Sequence, residues 1–127
     1  MPVVISHSKM DSVVLVSLQG TLVAGKDAEL LTKKTLELLE AHETRIILDL
    51  GQLTYIDSTG ISALVRAYTL VKSRSGSMKL VHLTKRVYDV LRITRLSSVF
   101  EIYDDLQKAL ASFGSGPELG APARPGP

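Results

Sequence analysis

The hydrophobic positions of this chain change period several times, from two to about three and a half and back. Residues 3–8 and 12–19 read as two strands joined by a turn at Lys9-Met10-Asp11. In the second strand Val14, Val16 and Leu18 alternate with Val13, Leu15 and Ser17, so both of its faces are predicted to be covered. Gly20 ends that run. Helical spacing takes over at Asp27 and lasts to about His42. Ala28, Leu31, Thr35, Leu38 and Leu39 share one face, and Lys33, Lys34, Glu37 and Glu40 share the other. Leu30 breaks the pattern by standing among the charges.

Arg45-Ile46-Ile47-Leu48-Asp49-Leu50 is a short apolar run of the kind buried on both faces of a parallel sheet. A loop is expected after Leu50, then Tyr55-Ile56 and the sequence Asp57-Ser58-Thr59-Gly60. A second helix follows to about Arg74, with Ile61, Leu64, Val65, Tyr68 and Val71 facing inward, and Ser75-Gly76-Ser77 breaks it. Residues 78–82 read as a strand. Thr84 caps a third helix to about Thr94, and residues 100–103 form the last strand. Asp104-Asp105 open a final helix to about Phe113, with their carboxylates near its positive dipole end. The order β-β-α-β-α-β-α-β-α predicts an α/β fold, a mixed sheet packed by helices.

Past residue 113 the periodicity stops. Residues 114–127 hold four of the five prolines and four of the nine glycines, and bury too little to offset their ordering entropy. The expected organisation is one domain over residues 1–113 followed by a flexible tail. Cysteine is absent, which excludes disulfides, thiolate metal sites and a cysteine nucleophile. The apolar runs are far shorter than the ~20 residues a membrane span needs. Residues 1–7 lack the basic and apolar regions of a signal peptide, so a soluble, cytoplasmic protein is expected, without a membrane partner.

The net charge is only +2, yet the segment from Lys72 to Arg95 carries seven cations (Lys72, Arg74, Lys79, Lys85, Arg86, Arg92, Arg95) against Asp89 alone. No nucleic-acid motif accompanies them, and aromatic residues at 5% are too few for base stacking, so direct nucleic-acid binding is not expected. A preference for an acidic partner is what this charge implies.

Enzyme motifs fail one after another. His7, His42 and His82 stand on separate elements without metal-ligand spacing, and no phosphate-binding glycine motif follows a strand. Asp57-Ser58-Thr59-Gly60 is similar to the triplet of aspartic proteases, but Thr59 interrupts it and the chain is not all-β. No catalytic residue, cofactor or metal is expected.

What remains is Asp57-Ser58-Thr59-Gly60 itself, a helix start with unpaired amides and a positive dipole end. Asp57 or Ser58 can cap it, and Gly60 permits close approach to the backbone. The stretch 46–64 around this sequence, continued by Val87-Tyr88-Asp89-Val90-Leu91-Arg92-Ile93-Thr94-Arg95-Leu96 and Phe100-Glu101-Ile102-Tyr103, resembles the STAS domains of the bacterial anti-anti-sigma factor family. The resemblance spans about residues 3–113. It implies a STAS fold, with about five strands and about four helices largely on one side of the sheet. It also implies an anti-sigma factor antagonist that binds a serine-kinase anti-sigma factor, releases a sigma factor for transcription, and is inactivated by phosphorylation. ATP would be bound by that partner, the phosphorylated residue would be Ser58, and a serine phosphatase would reset it. The alternative implied is a STAS module in a stress-signalling scaffold or a lipid-transport assembly. Asp57, Ser58, Thr59 and Gly60, with Ser62, Arg66 and Leu70 on the outward side of the second helix, make up the expected partner surface.

Two positions depart from the family pattern. Val23 stands where an aspartate is frequent, and Arg95 stands where the third helix commonly closes on glycine. If residue 95 is left-handed, arginine costs on the order of 1 kcal/mol relative to glycine.

Overall fold

The computed structural model describes residues 3–113. The chain runs β1 (Val4–Met10), β2 (Val13–Leu22), α1 (Lys26–Glu40), β3 (Arg45–Ile56), α2 (Ser58–Ser73), β4 (Ser77–Val81), α3 (Lys85–Ile93), a 3-10 turn (Leu96–Ser98), β5 (Glu101–Tyr103) and α4 (Leu106–Ser112). One five-stranded sheet has the spatial order β1-β2-β3-β4-β5, identical to the order in the chain. β1 and β2 are an antiparallel hairpin and every later pairing is parallel.

That order explains the layering. Parallel neighbours need crossovers, and crossovers are almost always right-handed. A chain that always steps to the same side of the sheet therefore stacks α1, α2 and α3 on one face. Their apolar sides close a large core with Val14, Val16 and Leu18 of β2 and Ile46, Leu48 and Leu50 of β3. α4 follows the last strand without crossing back, and packs on the opposite face. There Ala109, Leu106, Leu110 and Phe113 cover Val13, Ile47 and Val81. Both faces of the central strands are thus buried, as the continuous apolar run of β3 predicts.

Three expectations need correction. The segment after Leu50 is not a loop, because β3 continues to Ile56 beside the end of β2. Likewise Gly20 does not end β2, which runs on to Leu22. Irregularities in the β2–β3 register fall between Ser17 and Gln19 and between Gly20 and Thr21, and Gly20 takes φ 101 there. Thirdly, the inward face of α2 is made of Gly60, Ala63, Leu64, Ala67 and Val71, while Ile61, Val65 and Tyr68 are only half-buried. Small side chains let α2 sit close to its neighbours, and the larger ones fill the flanks. Arg95 is left-handed, with φ 65, and closes α3 as the glycine pattern implied. Residues 114–127, the expected tail, lie outside the described residues. Among the described residues no helix is long and apolar enough to cross a membrane.

Candidate functional site at the start of the second helix

At the carboxyl end of β3 the backbone passes through Asp57 into α2. Asp57 is the N-cap, in extended conformation. Its Oδ1 accepts the Gly60 amide at 2.8 Å and its Oδ2 accepts the Ala24 amide at 3.1 Å. Its own amide donates to the Leu22 carbonyl at 3.3 Å. One residue therefore ties the start of α2 to the β2–α1 connection. The Gly60 amide, and after it the Ala24 amide, hold the Asp57 carboxyl below the usual carboxylate range. Ionised and with both oxygens engaged, it shapes the backbone and is poorly placed to carry protons.

The connection is fixed from its other side by a second carboxylate. α1 begins at Lys26 without a side-chain cap, so Asp27 does not open the helix as an exposed cap. It turns inward, 5% exposed, and accepts hydrogen bonds from the Val3 amide at 2.9 Å, Thr21 Oγ1 at 3.0 Å and the Val23 amide at 3.2 Å. Nothing in the local pattern distinguishes this aspartate from an ordinary first-turn acid. Its partners come from β2, from the residue just after it and from the residue preceding β1.

With Asp57 as cap, Ser58 is the first residue of α2, exposed, and its hydroxyl makes no hydrogen bond among the described residues. Thr59 beside it is exposed as well. Gly60 is buried, and the close approach it allows is internal. A Cβ there would overlap the Leu22 carbonyl oxygen and stand 2.8 Å from Ile56 Cγ1. Further along α2, Ser62, Arg66 and Thr69 are exposed, whereas Leu70 is half-buried against the core. Together with Thr59 these side chains line an open groove of about 1020 Å³ between α2 and α1, whose opposite wall includes Leu36 and Glu40. Nothing in the sequence marks that wall, because the helical pattern of α1 separates only an apolar packing face from a charged one.

Among the described residues no cluster of three or more His, Asp or Glu side chains could hold a metal ion. His82 is not isolated, since its Nδ1 lies 3.2 Å from Asp49 Oδ1. The parallel register that sets Asp49 beside Val81 makes that pair, which spacing along the chain does not reveal.

Residues 5–109 match the family model of the STAS domain. The chain belongs to the STAS family. It is 31% identical over 84 residues to the anti-sigma-B factor antagonist of Listeria monocytogenes, covering 63% of this chain and 74% of that one. The anti-sigma-B factor antagonist of Bacillus subtilis is 34% identical over 76 residues, 59% of this chain and 68% of its own. Of the solved structures, SpoIIAA from Bacillus in its phosphorylated form superposes with a TM-score of 0.67 over 87% of this chain and 98% of that chain, at 16% identity. That likeness shows the fold: a STAS protein with a five-stranded mixed sheet, three helices on one face and one on the other. Both of these curated relatives are named as antagonists of anti-sigma factors.

Proposed function

We propose that this STAS protein is itself an anti-sigma factor antagonist. It occupies a serine-kinase anti-sigma factor and thereby frees a sigma factor, and it is switched off when that kinase, carrying ATP, phosphorylates Ser58. A serine phosphatase restores it. Its role is binding rather than catalysis. The observation that carries this reading is the free, exposed hydroxyl of Ser58 on a backbone locked from both sides by Asp57. A kinase needs an accessible oxygen in a reproducible position, and this is one.

The switch follows from charge. A phosphate adds about 1.5 to 2 negative charges next to Asp57. Asp57 is ionised and held by two amides, so it cannot turn away. Within the chain, the amides and dipole at the start of α2 tolerate the anion. Across an interface the new charge must lose its hydration and meets the repulsion of Asp57. A loss of about 3 kcal/mol is roughly a hundredfold in affinity. The partner footprint in this reading comprises Asp57, Ser58 and Thr59, with Ser62, Arg66 and the exposed edge of Leu70 along the groove. Gly60 belongs to it through the backbone alone.

The test is incubation of the protein with ATP and the anti-sigma factor of its own organism, followed by intact mass and site mapping. Phosphate on Ser58, retained binding by Ser58→Ala and about hundredfold weaker binding by the phosphoprotein are expected. Phosphate on Thr59 or Ser62 with Ser58 unmodified overturns the site. Absence of any phosphate overturns the mechanism.

A further inference from the structure

The outer face of α3 has no partner within the described fold. Val87 and Leu91 bury one side of this helix. On a flank of it, Arg86, the half-buried Val90 and Ile93 follow one another at i, i+4 and i+7, which makes a single stripe. Ile93 is 77% exposed, the most of any large apolar side chain among the described residues. At the opposite end of the stripe the Arg86 guanidinium lies over the ring of Tyr55, 5.9 Å from its centroid, and Tyr55 is itself 46% exposed. Tyr55 precedes Ser58 by three residues, so the stripe begins at the edge of the candidate site.

Its charge is compensated only in part, by Asp89, which Lys85 and Arg92 both act on. Asp89, the carboxylate of α3, is taken by Lys85 at 2.8 Å. Arg86 and Arg92 form no ion pair among the described residues, and neither does Arg95 at the end of the helix. Arg95 also sits at φ 65, where a side chain is strained, and its backbone is held there by its amide donating to the Arg92 carbonyl at 3.0 Å and by Ser98 Oγ donating to its carbonyl at 3.2 Å. An exposed isoleucine alone is ordinary. An exposed isoleucine in line with a ring-stacked arginine that has no ion pair among the described residues, with Arg95 following at the end of the helix, is a surface made for carboxylates around an apolar anchor. Guanidinium groups bind carboxylates in two-pronged fashion, and arginine and tyrosine are the side chains that dominate binding energy at protein interfaces. A lipid surface fits less well, because stable attachment takes two strong signals and this short stripe offers neither a lipid chain nor a long polybasic run.

We propose that Tyr55, Arg86 and Ile93 form a second contact strip for an acidic, apolar-bearing surface of the same anti-sigma factor that engages Ser58, a proposal that rests on the function proposed above. The strip holds the partner whether or not Ser58 is modified, so it sets the residual affinity of the phosphorylated form.

The experiment measures binding of the full-length chain to the anti-sigma factor of its own organism at low and high salt, for wild type, Arg86→Glu and Ile93→Asp, with melting temperatures as the control for folding. Each variant is expected to bind about tenfold or more weakly with an unchanged melting temperature, and Arg86→Glu to flatten the salt dependence. Wild-type affinity in both variants, with phosphate still placed on Ser58, overturns the strip and leaves the Ser58 reading intact. Weakened binding without phosphate on Ser58 supports the strip and overturns the switch instead. No complex with the wild-type chain overturns both. A parallel arm uses phosphatidylserine–phosphatidylcholine vesicles, and binding there that is lost in the same variants overturns the protein partner in favour of a membrane.

Discussion

Asp27 and Asp57 both accept backbone amides, and the hydrogen bonds they accept hold both below the usual carboxylate range, in different surroundings. At Asp57 the amides act on a half-buried group. At Asp27 burial pushes the carboxyl up, while the bonds from the Val3 amide, Thr21 and the Val23 amide together push it down further. The sign of the consequence follows. A carboxyl whose folded value lies below its ordinary 3.8 adds stability in full above that value, and loses it as pH falls through the folded value. Asp27→Asn should therefore cost about 2 kcal/mol near neutral pH, the scale of a charged buried acceptor weakened. Urea unfolding of the two proteins at pH 7 and pH 3 checks this, and the gap between them should shrink at the lower pH. A constant gap would mean that packing, not ionisation, makes the Asp27 contribution.

The decisive contact between elements is the crossing of α2 over the end of β2. Gly60→Ala would improve helix propensity by at most about 1 kcal/mol. The added methyl, however, meets the Leu22 carbonyl and Ile56, and such overpacking costs about 1 to 3 kcal/mol. A net loss of stability is expected, with weaker Ser58 phosphorylation as α2 shifts, and thermal melts beside kinase assays would measure it. A stabilised Gly60→Ala variant would show that α2 can move freely. This contact also marks how far the sequence could be read. Periodicity located every helix and strand, and the Asp57-Ser58-Thr59-Gly60 turn was visible as a helix start beside a buried strand. What stayed hidden depends on partners distant in the chain. Gly51 and Gln52 look like a loop until β2 lies alongside them, and the role of Gly60 needs the carbonyl of Leu22. On α2 the pattern identifies Leu64 and Val71, and Ile61, Val65 and Tyr68 pack against the core from its flanks; what it hides are Gly60, Ala63 and Ala67, because large apolar residues outrank alanine in any hydrophobicity pattern although close helix packing selects alanine.

For the molecule as a whole, the two core faces are unequal, and the smaller one hangs on α4. Phe113 anchors it: the Arg45 side chain donates to the Phe113 carbonyl at 2.7 Å, and the buried Lys79 ammonium lies 4.6 Å from its ring while pairing with Glu101 at 2.9 Å. Truncation after Phe113 leaves all of these groups in place, so the melting temperature should change by no more than about 2 °C. A fall of many degrees in differential scanning calorimetry would show that residues 114–127 contribute to the domain. The strand order has a consequence for synthesis. Because every strand after the first pairs with the one made just before it, no strand waits for a strand partner beyond the next one, and only the smaller face waits for α4. The β1–β2 hairpin can form before the later strands have emerged, and each later crossover adds one finished layer to an existing edge. Loops closed in this way stay short in sequence, which favours rapid folding. It also means that the last edge to be completed, β5 with α4, is the natural place for the domain to open first.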